Sequence, residues 1–338
     1  MPRLSCIIPV VGDAHGLETT LVSVLEHLPE NCEIIVVHSA PYGDPYDLKS
    51  ELRFIEAPRR TDYVGCANLG IEAAQAPIVH LLAAGLEGTA GWAEAALARF
   101  ADPKVAAVSP VVCNQLKTDD VLAAGLTYHC SGRVQVRRDL PDVAPVSDTI
   151  PIRQAADATN RFPLARAAFY RRSALGLFGG GLPVAVGIEL AAVELGISLT
   201  QSAHRSVLEP GCKILGSPRS CGVSHGFGFG MAAERLFWRN LPAGGFASSI
   251  AMHPFSVLRE LAGSLSSGAA LLQLAGRMCA YATLRDCRTR HEQLRAAKEL
   301  AIIRAEESRG GDCPSHIRID AGHRVGRSNR ANDVRASG

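Results

Sequence analysis

Two spacings of apolar residues alternate along the chain. Residues 4–11 (LSCIIPVV) form a short β-rich run closed by Gly12-Asp13, and residues 33–38 (EIIVVH) form a second. Between them Leu17, Leu21, Val24, Leu25 and Leu28 recur at helical spacing, in a segment that stops before Pro29. Residues 40–47, with two prolines and a glycine, read as loop, and residues 52–57 as a third, shorter strand. The pattern is richest over residues 65–92. There Val64, Ala67, Ile71 and Ala74 mark one face of a helix, and Gly65, Cys66 and Gly70 let its backbone come close to what lies beneath. Pro77 stops that helix, and residues 78–82 are an apolar run suited to a strand covered on both faces. Gly85 and Gly88 punctuate the exit, followed by a helix over 91–100 and a strand over 105–112. Strands alternating with single helices predict parallel βαβ units with right-handed crossovers. In such a sheet, ligands are handled by the loops that leave the carboxyl ends of the strands.

Downstream the pattern is less regular. Residues 126–129 and 133–137 flank Ser131-Gly132 and predict a hairpin. Pro141, Pro145 and Pro151 mark an irregular segment, and residues 167–171 (AAFYR) read as a strand. Ser173 is a candidate cap for a short helix ending near Gly179-Gly180-Gly181. Residues 188–195 predict a compact helix that Gly196 ends. Residues 255–265 and 269–307 are helical in pattern, with Leu271, Leu274, Met278, Tyr281 and Leu284 along one face. Arg285, Arg288, Arg290, Arg295 and Lys298 then add positive charge. Beyond Ser308 large apolar residues almost vanish, so a disordered basic tail is expected over 309–338.

Composition narrows the classes. The 338 residues are 47% apolar and 20% charged, enough for a large core, and the net charge of +2 gives no whole-protein field for nucleic acid. Ten cysteines are scattered without a CxxC pair or zinc-ligand spacing, which predicts free thiols in a reducing compartment. The start, Met1-Pro2-Arg3-Leu4, leads straight into a strand-like run without a signal peptide's long apolar core. No uncharged apolar stretch of about 18 residues occurs, so a spanning helix is not expected. The cytoplasm is the expected location, with a peripheral place at the inner face of the membrane left open by the C-terminal helices.

With the strands placed, the first two hundred residues resemble the family 2 glycosyltransferases. The segments that carry the resemblance are SCIIPVVGDAHGLETTLVSVL (5–25), EIIVVHS (33–39), GCANLGIEAAQAPIVHLLAAGLEGTAGW (65–92), FYRRSALGLFGGG (169–181) and GIELAAVELG (187–196). SHGFGFGMAAERLFWRNLP (224–242) looks like the segment many of these proteins carry after the catalytic fold. The resemblance implies an α/β fold of the nucleotide-sugar-binding GT-A type: a mostly parallel sheet flanked by helices over 1–215, then a helical appendage over 216–308. It also implies transfer of a sugar from a nucleotide donor to a glycan or glycoconjugate acceptor. By position, the donor cleft it implies involves Pro9, Val11, His38, Ser39, Arg60, Ala83, Gly85 and Glu87.

Two departures from the family matter. Acidic residues that would contact the nucleotide base are replaced by His38 and Ser39. The DxD-type motif, whose carboxylates would hold magnesium or manganese against the diphosphate, falls on Ala83-Ala84-Gly85. No metal cofactor is therefore expected, and a non-catalytic binding or scaffolding module in polysaccharide assembly stands as the alternative function.

Glu87 is a candidate substitute ligand or a solvated loop carboxylate. Glu189 falls where the family carries its acidic general base, and otherwise reads as a helix-start residue favoured by the macrodipole. Glu194, farther along, reads as surface. Arg59-Arg60 is a candidate phosphate contact or a solvated turn. Asn68 reads as structural. His225 with the glycines after it reads as a flap or a lead into the next helix, since no strand precedes it as a phosphate loop requires. No G-x-S-x-G elbow supports a hydrolase triad.

Overall fold

A computed structural model describes residues 1–11, 16–45, 47–129, 131–140, 160–221, 226–241, 246–265 and 268–283. In chain order the first half contains β1 (Leu4–Val10), α1 (Leu17–Glu26), β2 (Cys32–His38), β3 (Arg53–Glu56), α2 (Tyr63–Ala73), β4 (Ile78–Leu81), β5 (Glu87–Gly88), α3 (Trp92–Arg99), β6 (Val105–Asn114), β7 (Lys117–Ala123), β8 (Leu126–Tyr128) and β9 (Val134–Val136). The second half adds β10 (Asn160–Phe162), β11 (Phe169–Arg171), α4 (Arg172–Gly176), α5 (Gly187–Gln201), β12 (Arg205–Gly216), α6 (Pro218–Cys221), α7 (Phe227–Arg239), α8 (Phe246–Ser264) and α9 (Ala270–Ala280). The chain divides into two compact units, Met1–Ala301 and Ile302–Gly338. All described residues belong to the first; the tail expected over 309–338 lies outside them.

The main sheet runs β3-β2-β1-β4-β11-β6-β12-β5, with β7 also paired to β6. The pairs β1–β2, β1–β4, β2–β3 and β6–β12 are parallel, as the alternation of strands and helices predicts. β11 enters antiparallel between β4 and β6, so the sheet is mixed and mostly parallel. β1 is buried along its whole length, which explains why it reads as continuously apolar instead of alternating. α2 packs on it through its small residues. A Cβ at Gly70 would strike the side chain of Ile7, and Val64, Ala67, Ile71 and Ala74 are all buried. The expected hairpin is present as β8 and β9, with Gly132 at φ 91° in its turn.

Several expectations are corrected. α5 does not end at Gly196 but continues to Gln201; Gly196 sits inside it because a Cβ there would enter the Phe162 ring. Ser173 is not a cap, since α4 begins at Arg172 with Arg171 in the capping position. β12 gave no apolar-run signal: Glu209-Pro210-Gly211 interrupts it, and its register against β6 shifts between Glu209 and Lys213. α8 starts nine residues before the expected 255 and carries Pro254 inside it. The helix expected over 269–307 is α9 over its first part, followed by a short 3-10 turn at Tyr281–Thr283; residues from 284 onward lie outside the described set. The apolar stripe of α9 is not packed inward. Its buried positions are Ala270, Gln273, Gly276, Arg277 and Ala280, while Leu271, Leu274, Met278 and Tyr281 are exposed.

Candidate functional site

The strand order reverses direction at β1. β2 and β3 lie on one side of it and β4 on the other, so the carboxyl ends of β1 and β4 lie side by side at a topological switch point. The segment after β4 is joined to the start of α1. The Gly85 amide donates to the Gly16 carbonyl at 3.1 Å and to Thr20 Oγ1 at 2.9 Å. Gly16 has φ 89°, and a Cβ on it would lie 3.0 Å from Gly85 Cα, so only glycine lets the backbones approach this closely. On the strand side, Leu82 donates to Ile7 O at 2.9 Å and Ala83 to Arg166 O at 2.8 Å. Ser220, at the end of α6, stands beside Gly85, and its hydroxyl is 3.1 Å from that of Ser217.

The residues singled out from the sequence fall around this junction unevenly. Ala83 is buried, and Ala84 and Gly85 are partly exposed. Pro9 is buried in β1 opposite Val37, and Val11 is exposed just past the strand. His38 ends β2 with Nδ1 2.8 Å from Ala40 O. Ser39 donates its amide to Val10 O at 3.1 Å, and its side chain hydrogen-bonds the Cys66 thiol. Beyond them Tyr42 stacks on Phe54 at 5.7 Å between ring centroids. Glu87 is in the short edge strand β5, paired with Leu215. Arg59 and Arg60 are exposed in a turn closed by Thr61 N–H to Pro58 O at 3.0 Å.

Asn68 is structural, as expected: its side chain donates to Leu182 O at 2.9 Å and accepts from Leu182 N–H at 2.7 Å. Glu189 lies in the first turn of α5, but its side chain is outside the described residues, as are His225 and the proline-marked segment 141–151. The glycines after His225 are no phosphate loop; Phe227 to Gly230 form the first turn of α7.

A divalent cation takes oxygen ligands, chiefly carboxylates. Ala83-Ala84-Gly85 carries none, and the Ala83 and Gly85 amides are committed to carbonyl and hydroxyl oxygens. Among the described residues no three His, Cys, Asp or Glu side chains converge to hold a metal. Among the described residues, those at the junction offer no set of carboxylates for a divalent cation.

Sequence reasoning missed Arg166. It is a lone charge within the small apolar stretch LARAA, which should have drawn attention. Its carbonyl holds Ala83, and its guanidinium lies 5.9 Å from the centroid of the Tyr63 ring at the start of α2. Burial lifts the Cys221 thiol to about 11, while Arg166 and Arg138 both pull it down, so both cations reach the end of α6 electrostatically. Burial likewise pushes the Tyr63 and Tyr170 hydroxyls well above the usual range, and neither has a hydrogen-bond partner among the described residues. Cys6 and His80, 3.9 Å apart, are not a nucleophile and base. Burial raises the Cys6 thiol and lowers His80 to about 3, holding both neutral beneath Trp92 and Phe169.

Glu194 corrects a second reading. It is fully buried, not on the surface, and its Oε1 accepts from Arg239 Nε at 2.9 Å. α5 is buried on nearly every side, through Leu190, Ala191, Ala192, Val193, Leu195 and Leu199, so a carboxylate within it must be paired. Farther along, Glu234 of α7 accepts from Arg277 at 2.8 Å and from Trp238 at 2.8 Å, and lies 3.1 Å from His253 Nε2. Burial raises the Glu234 carboxyl, but His253, Trp238 and Arg277 outweigh it and hold the group at about 2. Glu260 of α8 completes the cluster, accepting from Arg277 and from Gln273 at 2.6 Å each.

No family model matches the chain. Human probable polypeptide N-acetylgalactosaminyltransferase 8 is 30% identical over 132 residues, which cover 34% of this chain and 20% of that protein. The chain thus spans a fifth of the length of the curated relative it matches. Among solved structures, the mannosyltransferase PcManGT of Pyrobaculum calidifontis, in complex with GDP-Man and Mn2+, superimposes with a TM-score of 0.45 at 19% identity, over 89% of this chain and 87% of that one. GalNAc-T7 with UDP, GalNAc and Mn2+ superimposes with a TM-score of 0.48 at 12% identity, over 80% and 58%.

Proposed function

We propose that the chain is a GT-A-type, glycosyltransferase-like protein that takes a nucleoside diphosphate sugar between the carboxyl ends of β1 and β4, with guanidinium charge in place of a metal ion. The observation that carries this reading is the junction itself. Gly85 is hydrogen-bonded to Gly16 and Thr20 at the sheet's switch point, the backbone carbonyl of Arg166 accepts from the adjacent Ala83 amide while its guanidinium lies by the Tyr63 ring, and residues 83–85 carry no carboxylate. In sugar transfer, a bond forms from the acceptor oxygen to the anomeric carbon and the bond to the β-phosphate oxygen breaks, leaving negative charge on the nucleotide. A fixed cation stabilises that charge. Arginine suits the task because its fork can meet two phosphate oxygens at once. A charge pair at 4 Å near a protein surface has a Coulomb energy of roughly 4 kcal/mol, so one guanidinium supplies a useful part of what a divalent ion would.

Under this reading Glu189 takes the proton of the acceptor hydroxyl, the role its position implies by family resemblance. His38, Ser39 and the Tyr42–Phe54 pair lie on the side where the nucleotide base would rest. The substrates are a nucleotide sugar and a glycan or glycoconjugate acceptor.

The test is titration of the full chain with UDP- and GDP-sugars against Arg166 variants. Arg166→Ala should weaken binding about tenfold or more, with Arg166→Lys intermediate. An unchanged Kd in Arg166→Ala contradicts the reading. A second reading, a non-catalytic binding module, is favoured by the missing carboxylates and is separated by a nucleotide-release assay. Donor binding without turnover on any acceptor supports the module.

A further inference from the structure

The last two described helices are amphipathic in the reverse of the usual sense. In a helix packed on a water-soluble domain, apolar side chains face inward and charges outward. Here the inward side of α8 and α9 is polar or small: His253 and Glu260 on α8, Gln273, Gly276 and Arg277 on α9. The close packing of α9 on α7 depends on this. A Cβ at Gly276 would run into Phe227 O, and one at Gly230 into Gln273 O. Outward stand Met252, Phe255 and Leu258 on α8, and Leu271, Leu274 and Met278 on α9, with Phe255 65% and Leu271 79% exposed. A soluble monomer seldom leaves so many large apolar side chains on one pair of neighbouring helices without a partner.

We infer that α8 and α9 form a surface that lies on an anionic lipid bilayer. Charge selects this occupant. Glu260 is the one acidic residue in the described parts of α8 and α9, and it is tied to Arg277 and Gln273, so no free carboxylate faces outward. Arg259, the neighbouring charge, is exposed and positive. The sequence after Thr283 carries twelve basic against eight acidic residues, beginning with Arg285, Arg288 and Arg290. An apolar face with an exposed arginine, followed in sequence by a net-basic stretch, matches the acyl boundary and headgroups of an anionic membrane. Among the described residues no helix is long and apolar enough to cross a bilayer, so the surface would rest on the membrane without spanning it. This inference does not depend on the transferase reading.

The test is flotation of the full chain with phosphatidylcholine vesicles containing or lacking about a third phosphatidylglycerol. Binding is expected to the anionic vesicles, to fall at high salt, and to be near background on neutral ones. Phe255→Glu with Leu274→Glu should abolish flotation while the circular dichroism spectrum and melting curve are kept, since both positions are exposed. Arg285→Gln, Arg288→Gln and Arg290→Gln together should weaken it about tenfold or more. Three results would overturn the inference: no flotation, equal flotation on neutral vesicles, or a concentration-dependent dimer in sedimentation that the Phe255→Glu, Leu274→Glu variant makes monomeric. The last would assign the face to a second copy of the chain.

Discussion

His80 shows how burial sets chemistry one residue at a time. It lies under Phe169, with ring centroids 3.8 Å apart, and Nε2 is 3.3 Å from Ala167 O. Burial lowers its pKa from 6.5 to about 3, against a smaller opposite pull from the Ala167 carbonyl. The folded value is below the unfolded one, so the unfolded chain binds the extra proton. His80 therefore contributes full stability above about pH 6.5, and that contribution declines as the pH falls toward 3. Its share of the slope between pH 6 and 4 should be about 1.4 kcal/mol per pH unit. Urea titrations across that window should show the slope flattened in His80→Phe; an unchanged slope would mean the imidazole is hydrated. Arg166 is the opposite case, a half-buried charge kept beside the Tyr63 ring. Its sequence neighbours, all small or apolar, mark it as an exception that the sequence reading passed over, and its position beside Ala83 required the antiparallel entry of β11, which no periodicity signalled.

At the level of elements, buried charge pairs link α5 to α7 and α7 to α8 and α9, on top of the apolar packing of α5 and α7. Arg277 joins Glu234 and Glu260 with its side chain nearly inaccessible to water. Removing one partner of a buried pair leaves the other charge uncompensated. Arg277→Met should therefore cost about 3–5 kcal/mol in chemical denaturation, and pairing it with Glu234→Gln should recover part of the loss. Loss below about 1 kcal/mol would show that water reaches the cluster. This network explains why the sequence misled in the C-terminal helices, although it still placed the β8–β9 hairpin and β11. Of the early strands, β1 and β4 read clearly because they are buried along their whole length, and α2 because it buries one continuous face. In α9 the buried face is Gln273, Gly276 and Arg277, so the spacing of Leu271, Leu274 and Met278 located the helix without saying which face packs inward. Glu194 was misplaced for the same reason: its partner Arg239 is 45 residues away in the chain.

Over the whole of the first unit, the parallel half of the sheet was legible, and with it the place of residues 83–85 at the carboxyl end of β4. The joining of that loop to Gly16 and Thr20 was not, because a backbone amide finding a carbonyl across 69 residues leaves no mark on composition. The central claim is that this junction receives a nucleoside diphosphate through guanidinium charge and needs no divalent ion. Calorimetric titration of the full chain with UDP- and GDP-sugars, first in EDTA and then with excess manganese, tests it most directly. The expected result is one nucleotide class binding with the same Kd, within about twofold, in both buffers. Binding that appears only with manganese, or that fails in both buffers, would contradict the account.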